Sequence, residues 1–453
     1  MKLEIHLEAS RNYNQTAEEL VASLQAVPRP LNQKPGPPDP NIHSVQTFRP
    51  EDIIGEIGFG WTDFTGNVVA KAFEEKGEMY GLFGEDWLKL TRLAEGLQRK
   101  IIPQGVVSSK RLSELIFVWV QHKYRQTSIL TMTDYVLSEC AKEIEEFEIW
   151  IPISHLYIQS PFVFGKIEFR AITKAMIDGW EQSLLSKTTT VEEADSVRKG
   201  IERRRPKIQG LATATFKVTA EPERAFEISF EETEKTMSIL RLLSPANSHP
   251  AKICYSAPLG RQHEDSDTYL FFEKGKILGY NSGFVDKSVT QWNLSNQDLA
   301  TWLPELNILS GLLRQEQRTD LQGSLLDALV LYSRSSLAKQ VSDKLVYILI
   351  ALESVFLRNR GELIQDAISW RMAYMQDVSV EKRREIIANV KTIYKLRSSF
   401  IHHGQIVGVN ETKILTDFMM NGLLSLAALI PLAATQITKE EFFSNLENRR
   451  LAG

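Results

Sequence analysis

The chain has 453 residues, 43% of them hydrophobic and 24% charged, which is long enough for two or more domains and ordinary for a soluble globular protein. Its formal net charge of -4 excludes a general electrostatic attraction to nucleic acid, so any RNA site must be local. The two cysteines, Cys140 and Cys254, lie far apart and indicate neither a metal cluster nor a disulfide framework, as is typical of a reducing cytosol.

The beginning of the chain lacks the apolar core of a signal peptide. The longest apolar run, residues 423–434, is too short to cross a bilayer and is interpreted as a buried helix. The sequence contains no phosphate-binding glycine loop, no paired metal-ligand histidines and no Ser-His-Asp pattern. We therefore expect a cytoplasmic protein with no membrane segment, cofactor or metal.

The N-terminal segment, residues 1–50, predicts a short strand and a helix around 16–24, followed by a proline-rich stretch. That stretch is interpreted as an extended linker or surface arm, in preference to a proline-rich ligand for another domain. Residues 67–142 predict mainly helices. One of these helices covers 135–144, and another is marked by apolar residues at helical spacing, Leu112, Leu115, Ile116 and Trp119.

The pattern then changes to an α+β arrangement over residues 145–290, which we assign with the preceding helices to a sensor or recognition region, 51–300. This region carries no catalytic motif, and residues 291–318 look like a connector. The predicted strands cover 147–153, 162–170, 211–219, 253–256, 268–272 and 277–280, and the predicted helices cover 173–185 and 221–243.

Two charged segments of this region each have two interpretations. The basic segment 196–207 forms either an RNA-backbone patch or a solvated helix end beside its own acidic residues, and the second is favoured. The polar loop 263–267 either binds a cation or is a solvated loop, and again the second is favoured.

The C-terminal part, residues 318–453, predicts an antiparallel all-α bundle, so the fold class is α+β with a mixed helical and strand region first. Residues 345–357 are apolar nearly all round, which indicates a buried helix. Glu353 within this helix either needs a partner or lies at a wet end of the bundle. Further helices are predicted over 362–375, 380–401 and 411–432.

Arg397 is placed unusually for a charged residue. The helix around it carries one apolar stripe, and Arg397 falls in the middle of that stripe, among Ile386, Val390, Ile393 and Phe400. A guanidinium on the buried face of a helix lowers the stability of the fold unless an acceptor or a carboxylate pairs with it. Arg397 is therefore either a structural or snorkelling arginine, or a functional group that Glu353 or Tyr394 orients.

Two histidines follow the arginine directly. On an unbroken helix His402 lies about 140° round from Arg397, but Gly404 is typical of a residue at which a helix ends, so the helix should stop at His402 or His403. Imidazole titrates near neutral pH, and arginine binds phosphate through two nitrogens. Together they suit metal-free phosphodiester chemistry, and the sequence leaves open which histidine acts.

Residues 320–453 resemble a HEPN domain, in particular its Apea-like branch. The resemblance rests on the segment 345–353, the helix of Arg371 and the run 394–404. The region before them is also similar to the one that often precedes such domains. The HEPN motif is an arginine, a polar residue, three variable residues and a histidine. The matching residues here are Arg397, Ser398 and His402. In active members the polar position is more often Asn, Asp or His.

The resemblance implies a helical bundle that forms a homodimer and cleaves RNA without metal. A histidine, His402 or His403, would accept the proton of the ribose 2′-hydroxyl, Arg397 would stabilise the phosphate, and Ser398 would hydrogen-bond phosphate or water. It also implies a role in prokaryotic antiviral defence or toxin-type growth arrest, with a trigger or an antitoxin as a partner. The alternative is a non-catalytic HEPN module for dimerisation or for nucleotide or protein binding.

Overall fold

The computed structural model describes residues 2–27, 58–62, 68–127, 130–260, 266–273, 276–284, 291–359, 361–376, 378–403 and 411–452, without the side chains of 27, 58–59, 266–284 and 401–403. These residues form two compact units. Unit 1 comprises 1–147 and 217–228, and unit 2 comprises 148–216 and 229–453. The α+β fold class is confirmed. The three-part division at 50 and 318 stays a prediction, and the proline-rich stretch lies outside the described residues.

Unit 1 combines helices with an antiparallel sheet of strand order β1-β4-β3-β2. Its core is formed by apolar side chains from both layers, including the fully buried Leu82, Leu90 and Ile116. The elements are α1 Leu7–Ala22, β1 Gln25–Val27, β2 Gly58–Thr62, β3 Val68–Glu75, β4 Glu78–Phe83, α2 Gly84–Gln98, α3 Ser109–Tyr124 and α4 Met132–Glu143.

The prediction that residues 67–142 are mainly helical is wrong for the hairpin β3–β4. The hairpin turns at Lys76 and Gly77, both of which have positive φ, 51° and 86°. Such two-residue turns match the twist of the strands that they join. The helices around Leu112 and over 135–144 are confirmed as α3 and α4, each capped by a hydroxyl side chain at its first turn, Ser108 and Thr131.

The start of helix α7, Pro222–Leu240, is fixed by a buried carboxylate in unit 1. Glu221 is 1% exposed, and its carboxylate accepts hydrogen bonds from the backbone N–H of Ser108, Glu223 and Arg224 at 3.1, 2.8 and 3.1 Å. The carboxylate therefore satisfies two otherwise unpaired amides at the helix N-terminus and ties the helix to the segment before α3.

We expect the substitution Glu221→Ala to lower the free energy of unfolding by about 3 kcal/mol, because it leaves one buried and two partly buried amides without an acceptor. The control Glu223→Ala removes a partly exposed ion pair with Lys110 and should cost less than about 1 kcal/mol. Urea denaturation of the two variants measures both values. Equal losses would contradict the capping role.

Unit 2 begins with small sheets. One has the strand order β5-β9-β8-β7, β10 pairs antiparallel with β11, and β12 pairs parallel with β6. Strands β5 and β9 and helix α7 have residues in both units. The remaining elements before the bundle are β5 Glu145–Pro152, β6 Leu156–Ile158, β7 Phe162–Phe164, β8 Ile167–Ala171, α5 Lys174–Leu185, α6 Val191–Ile208, β9 Ala212–Ala220, β10 Ser266–Glu273, β11 Lys276–Phe284, β12 Trp292–Leu294, α8 Asn296–Thr301 and α9 Leu303–Arg314.

Several predicted boundaries in this region need correction. The single strand over 162–170 is a hairpin of β7 and β8, because Gly165 turns the chain with a φ of 61°. The segment 253–256 is not a strand, since the N–H of Cys254 donates to the carbonyl of Ser336 instead of to a strand. The connector predicted over 291–318 instead contains β12, α8 and α9.

Strand β9 and the basic helix α6 differ in their exposure to solvent. On strand β9, Thr213 and Thr215 are buried, whereas Lys217 and Thr219 on the same face are exposed, so only the end of that face is in contact with solvent. The basic segment lies on α6, of which no residue is buried; Arg198 pairs with Asp195 on the same helix. The interpretation as a solvated helix end, which the sequence favours over an RNA-backbone patch, stays a prediction. Residues 263–265 of the polar loop lie outside the described part of the chain.

The bundle predicted for the C-terminal part is present in unit 2. The predicted helices are found, and a last helix, α15, follows α14 where the sequence predicts no further helix. The elements are α10 Asp320–Arg334, α11 Val341–Phe356, α12 Ile364–Met375, α13 Val380–His403, α14 Thr412–Ala434 and α15 Lys439–Ala452. Helix α11 is not buried all round, since Ile350 is 40% exposed.

Helix α14 has 23 residues, more than the apolar run that predicted it. By length and composition it is the one described helix that could cross a membrane, and half of its most apolar window is buried within the structure. The buried side, with Phe418, Leu426 and Leu429, packs against α10, α12 and α13. Within unit 2, α14 is thus a core helix of the bundle.

Candidate active site

Helix α13 carries the motif at its C-terminal end. Ile386, Val390 and Ile393 are fully buried, which confirms the apolar stripe predicted from the sequence. The helix extends through His403, so both histidines belong to its last turn. The backbone of His402 and His403 is therefore placed, whereas their side chains lie outside the described part of the chain.

A carboxylate on the neighbouring helix α11 joins two residues of α13. Glu353 Oε1 accepts a hydrogen bond of 2.9 Å from the Tyr394 hydroxyl. The same oxygen lies 3.7 Å from Nη1 of Arg397, which is an ion-pair distance but too long for a hydrogen bond. Tyr394 and Arg397 are three residues apart and share one helix face. The contacts expected from the sequence for Glu353 are thus present, and its orienting role stays a prediction.

The electrostatics of this cluster keep Tyr394 neutral and Glu353 an acceptor. Burial raises the pKa of the Tyr394 hydroxyl far above its ordinary value, and the negative charge of Glu353 and the hydrogen bond to it raise it further, while Arg397 opposes the shift. The tyrosine therefore remains a donor at any physiological pH. Its hydrogen bond fixes one lone pair of Glu353 and leaves the carboxylate's charge facing Arg397.

Arg397 is only partly satisfied by its neighbours. Its side chain is 30% exposed, against 18% for Glu353. Its Nε is buried without a hydrogen-bond partner among the described residues. One edge of the guanidinium thus faces Glu353, while part of the group remains accessible to solvent. An anion that binds at this accessible part would contact a guanidinium whose position is restrained and whose N–H groups are not all hydrogen-bonded.

Ser398 lies next to this cluster on the exposed side of α13. The structure therefore brings together three of the six residues predicted for the site, Glu353, Tyr394 and Arg397. It puts Ser398 beside them on the surface, and it places the two histidines one to two turns further along the same helix.

Contacts with neighbouring helices hold α13 in this position. Lys391 pairs with Asp366 of α12 at 2.8 Å, and the guanidinium of Arg383 lies 4.5 Å from the ring centre of Tyr374. The side-chain amide of Asn389 donates to the carbonyl of Ile414 at the start of α14. The arginine-bearing face is therefore built on a helix that is attached along its length.

The sequence did not predict a buried ion pair elsewhere in the bundle, between Arg371 and Glu362. Arg371 is 2% exposed, and two of its nitrogens donate to the two carboxylate oxygens of Glu362, at 2.7 and 2.5 Å. It also donates to the carbonyl of Phe356 and lies over the ring of Phe443. This pair fastens the α11–α12 connection and α15 to the core. The signal was an arginine in the second half of the helix, between Trp370 and Met372.

Among the described residues no group of three or more His, Cys, Asp and Glu side chains could hold a metal ion. Comparison of the chain with protein-family models, with curated proteins and with solved structures finds no match. The function has therefore to be argued from the residues of the site.

We expect Tyr394→Phe to lower the free energy of unfolding by about 1 kcal/mol, because it removes a hydrogen bond to a largely buried carboxylate. The matched control is Tyr374→Phe, since Tyr374 contacts Arg383 through its ring, and it should change stability by less than about 0.5 kcal/mol. Chemical denaturation of both variants gives the comparison. A loss no larger for Tyr394→Phe than for the control would show that the hydrogen bond to Glu353 does not stabilise the bundle.

Proposed function

We propose that this protein is a metal-independent endoribonuclease of the HEPN type that acts as a homodimer. The observation that carries the proposal concerns Arg397 on α13. Its charge is partly neutralised by Glu353 of α11, and two histidines follow it along α13. The agreement of this order with the HEPN motif supports the same assignment. An arginine of this kind is suited to a phosphate, and the histidines are suited to proton transfer.

The reaction requires two proton transfers and one stabilised anion. One histidine accepts the proton of the ribose 2′-hydroxyl, and the 2′-oxygen attacks the adjacent phosphorus. Arg397 stabilises the charge that develops on the phosphate oxygens. A second histidine gives a proton to the leaving 5′-oxygen as its bond to phosphorus breaks. The products are a 2′,3′-cyclic phosphate and a 5′-hydroxyl, with no net consumption of acid or base.

Dimerisation supplies the second set of groups. One chain contains a single Arg397 and a single His402–His403 pair, so two copies of the bundle would contribute two sets to a shared cleft. Ser398, which is exposed and follows Arg397, would hydrogen-bond phosphate or water. We further propose a cytoplasmic role in prokaryotic antiviral defence or growth arrest. A trigger or an antitoxin would act through the region before the bundle.

The second candidate is a non-catalytic HEPN module that dimerises or binds a nucleotide or a protein. The observation that favours it is that Glu353 already pairs with Arg397, as expected of a structural arginine. Serine at position 398 and the net charge of -4 also favour it slightly. The adjacent histidines favour the nuclease, because a purely structural arginine does not need them.

The first test is cleavage of RNA in EDTA by the full chain. We expect Arg397→Ala and His402→Ala each to reduce the rate by about 100-fold or more, because each removes a group that acts in the transition state. The control Lys395→Ala removes an exposed cation from the same helix and should leave the rate nearly unchanged. Products should end in a 2′,3′-cyclic phosphate, which mass spectrometry identifies.

A substrate whose scissile nucleotide lacks the 2′-hydroxyl should not be cut, since it lacks the nucleophile. Cleavage of that substrate, or loss of activity in EDTA, would overturn the proposed mechanism. If no RNA is cut even after phage challenge of cells that express the protein, the non-catalytic module is the better description.

The shared cleft predicts that an inactive copy changes the activity of a wild-type copy. Mixing wild-type protein with an about tenfold excess of the double variant Arg397→Ala/His402→Ala, under conditions of subunit exchange, should lower activity per wild-type chain by about tenfold, because most wild-type chains then lack a functional partner. In the control, the same excess of Lys395→Ala should give the sum of the activities of the two separate proteins. Unchanged activity after demonstrated exchange would indicate that one chain carries a complete site.

A further inference from the structure

A cavity of about 370 Å³, lined by both charged and apolar residues, lies within unit 2, between α7, residues 257–258 and α10. Its volume lies in the range of sites for small ligands. None of the residues that line it belongs to the Arg397 cluster. Two of its polar lining side chains are buried, those of Arg241 and Ser238. The charged lining residues at the more accessible side are Glu231, Glu234, Lys235 and Arg334.

Arg241 is the unusual member of this set. It is 5% exposed, and it donates to two neutral oxygens, the Ser256 carbonyl and the Ser238 hydroxyl, both at 2.9 Å. Its Nε has no hydrogen-bond partner, and no carboxylate lies at ion-pair distance within the described part of the chain. Burial lowers the pKa of Arg241, with nearby Arg334 adding to the shift and Glu234 and Cys254 opposing it.

A buried guanidinium without a counter-ion is costly, and proteins normally pair it. Arg371 in the same unit shows the usual solution, a two-pronged pair with Glu362. Arg241 differs because it lines a cavity and has no carboxylate at ion-pair distance among the described residues, although Glu234 lines the same cavity. A negatively charged group in the cavity would supply the missing counter-charge.

The other charges around the cavity restrict the ligand further. Three cations, Arg241, Arg334 and Lys235, suit a group with two negative charges, which a phosphate monoester carries near neutral pH. The exposed Glu231 and Glu234 would repel a second anionic group but would accept hydrogen bonds from hydroxyls. An anionic head with a polyhydroxyl body fits this distribution of charge.

We propose that this cavity binds a small phosphate monoester with free hydroxyl groups, such as a sugar phosphate or a ribonucleoside monophosphate. The phosphate lies toward Arg241, Lys235 and Arg334, and the hydroxyls lie toward Glu231 and Glu234. Binding at this site does not depend on RNA cleavage at α13, so it can be tested whether or not the chain is a nuclease.

The test is calorimetric titration of the full chain with ribose 5-phosphate and with adenosine 5′-monophosphate, beside ribose and acetate. We expect saturable binding of one molecule per chain for at least one phosphate ester and none for ribose or acetate. Which ester binds more tightly distinguishes the sugar phosphate from the nucleotide. Absence of saturation by both esters up to about 10 mM, where even a weak site is half filled, would overturn the proposal.

Three variants locate the site. Arg334→Gln, at an exposed position that tolerates substitution, should weaken ester binding about tenfold, as expected for one charge-assisted hydrogen bond. Glu234→Gln should strengthen binding of inorganic phosphate several-fold by removing a like charge. Lys199→Gln on α6 is the control cation and should have no effect. Equal effects of Arg334→Gln and Lys199→Gln, or weaker phosphate binding by Glu234→Gln, would contradict this location.

Discussion

One carboxylate oxygen on α11 sets the geometry of the proposed active site. Glu353 Oε1 accepts the hydroxyl of Tyr394 and faces the guanidinium of Arg397, so two residues of α13 depend on one acceptor. Since the tyrosine stays protonated, the carboxylate has one fixed neighbour and one charged neighbour. Arg397 is thereby restrained while part of it remains exposed, which is the condition for binding a phosphate from solution.

Three arginines of unit 2 differ in how fully the protein itself pairs their charge. Arg371 has both carboxylate oxygens of Glu362 and a carbonyl, and it fastens the core. Arg397 has one carboxylate at ion-pair distance, and its Nε, like that of Arg371 and Arg241, has no hydrogen-bond partner among the described residues. Arg241 has only neutral acceptors. An arginine with fewer partners inside the protein can interact more strongly with a bound anion. The same lack of partners lowers the stability of the folded protein.

The sequence predicted the bundle well because its helices have strong apolar periodicity. Ile386, Val390 and Ile393 are buried as the pattern indicated, and the contact of Glu353 with Arg397 followed from two charges on buried faces. These inferences needed only helical spacing and the cost of burying a charge.

What the sequence did not predict depends on turns and on long-range packing. The β3–β4 hairpin depends on its turn at Lys76–Gly77, which brings the two strands together. The composition of the two strands alone does not distinguish them from helix. The segment 253–256 is extended but pairs with Ser336, some 80 residues later, so local pattern could not exclude a strand. Arg241 gives no signal, because only the tertiary structure puts a cavity beside it.

In the proposed nuclease, Arg397 contacts the scissile phosphate and does not only support the bundle. Chemical rescue distinguishes these two roles: cleavage by the Arg397→Ala variant is measured with and without added guanidinium ion, below its denaturing range. We predict that guanidinium restores a substantial part of the lost rate in Arg397→Ala and none in His402→Ala. No rescue in a variant that is folded and dimeric, or full activity of Arg397→Ala without guanidinium, would contradict the claim.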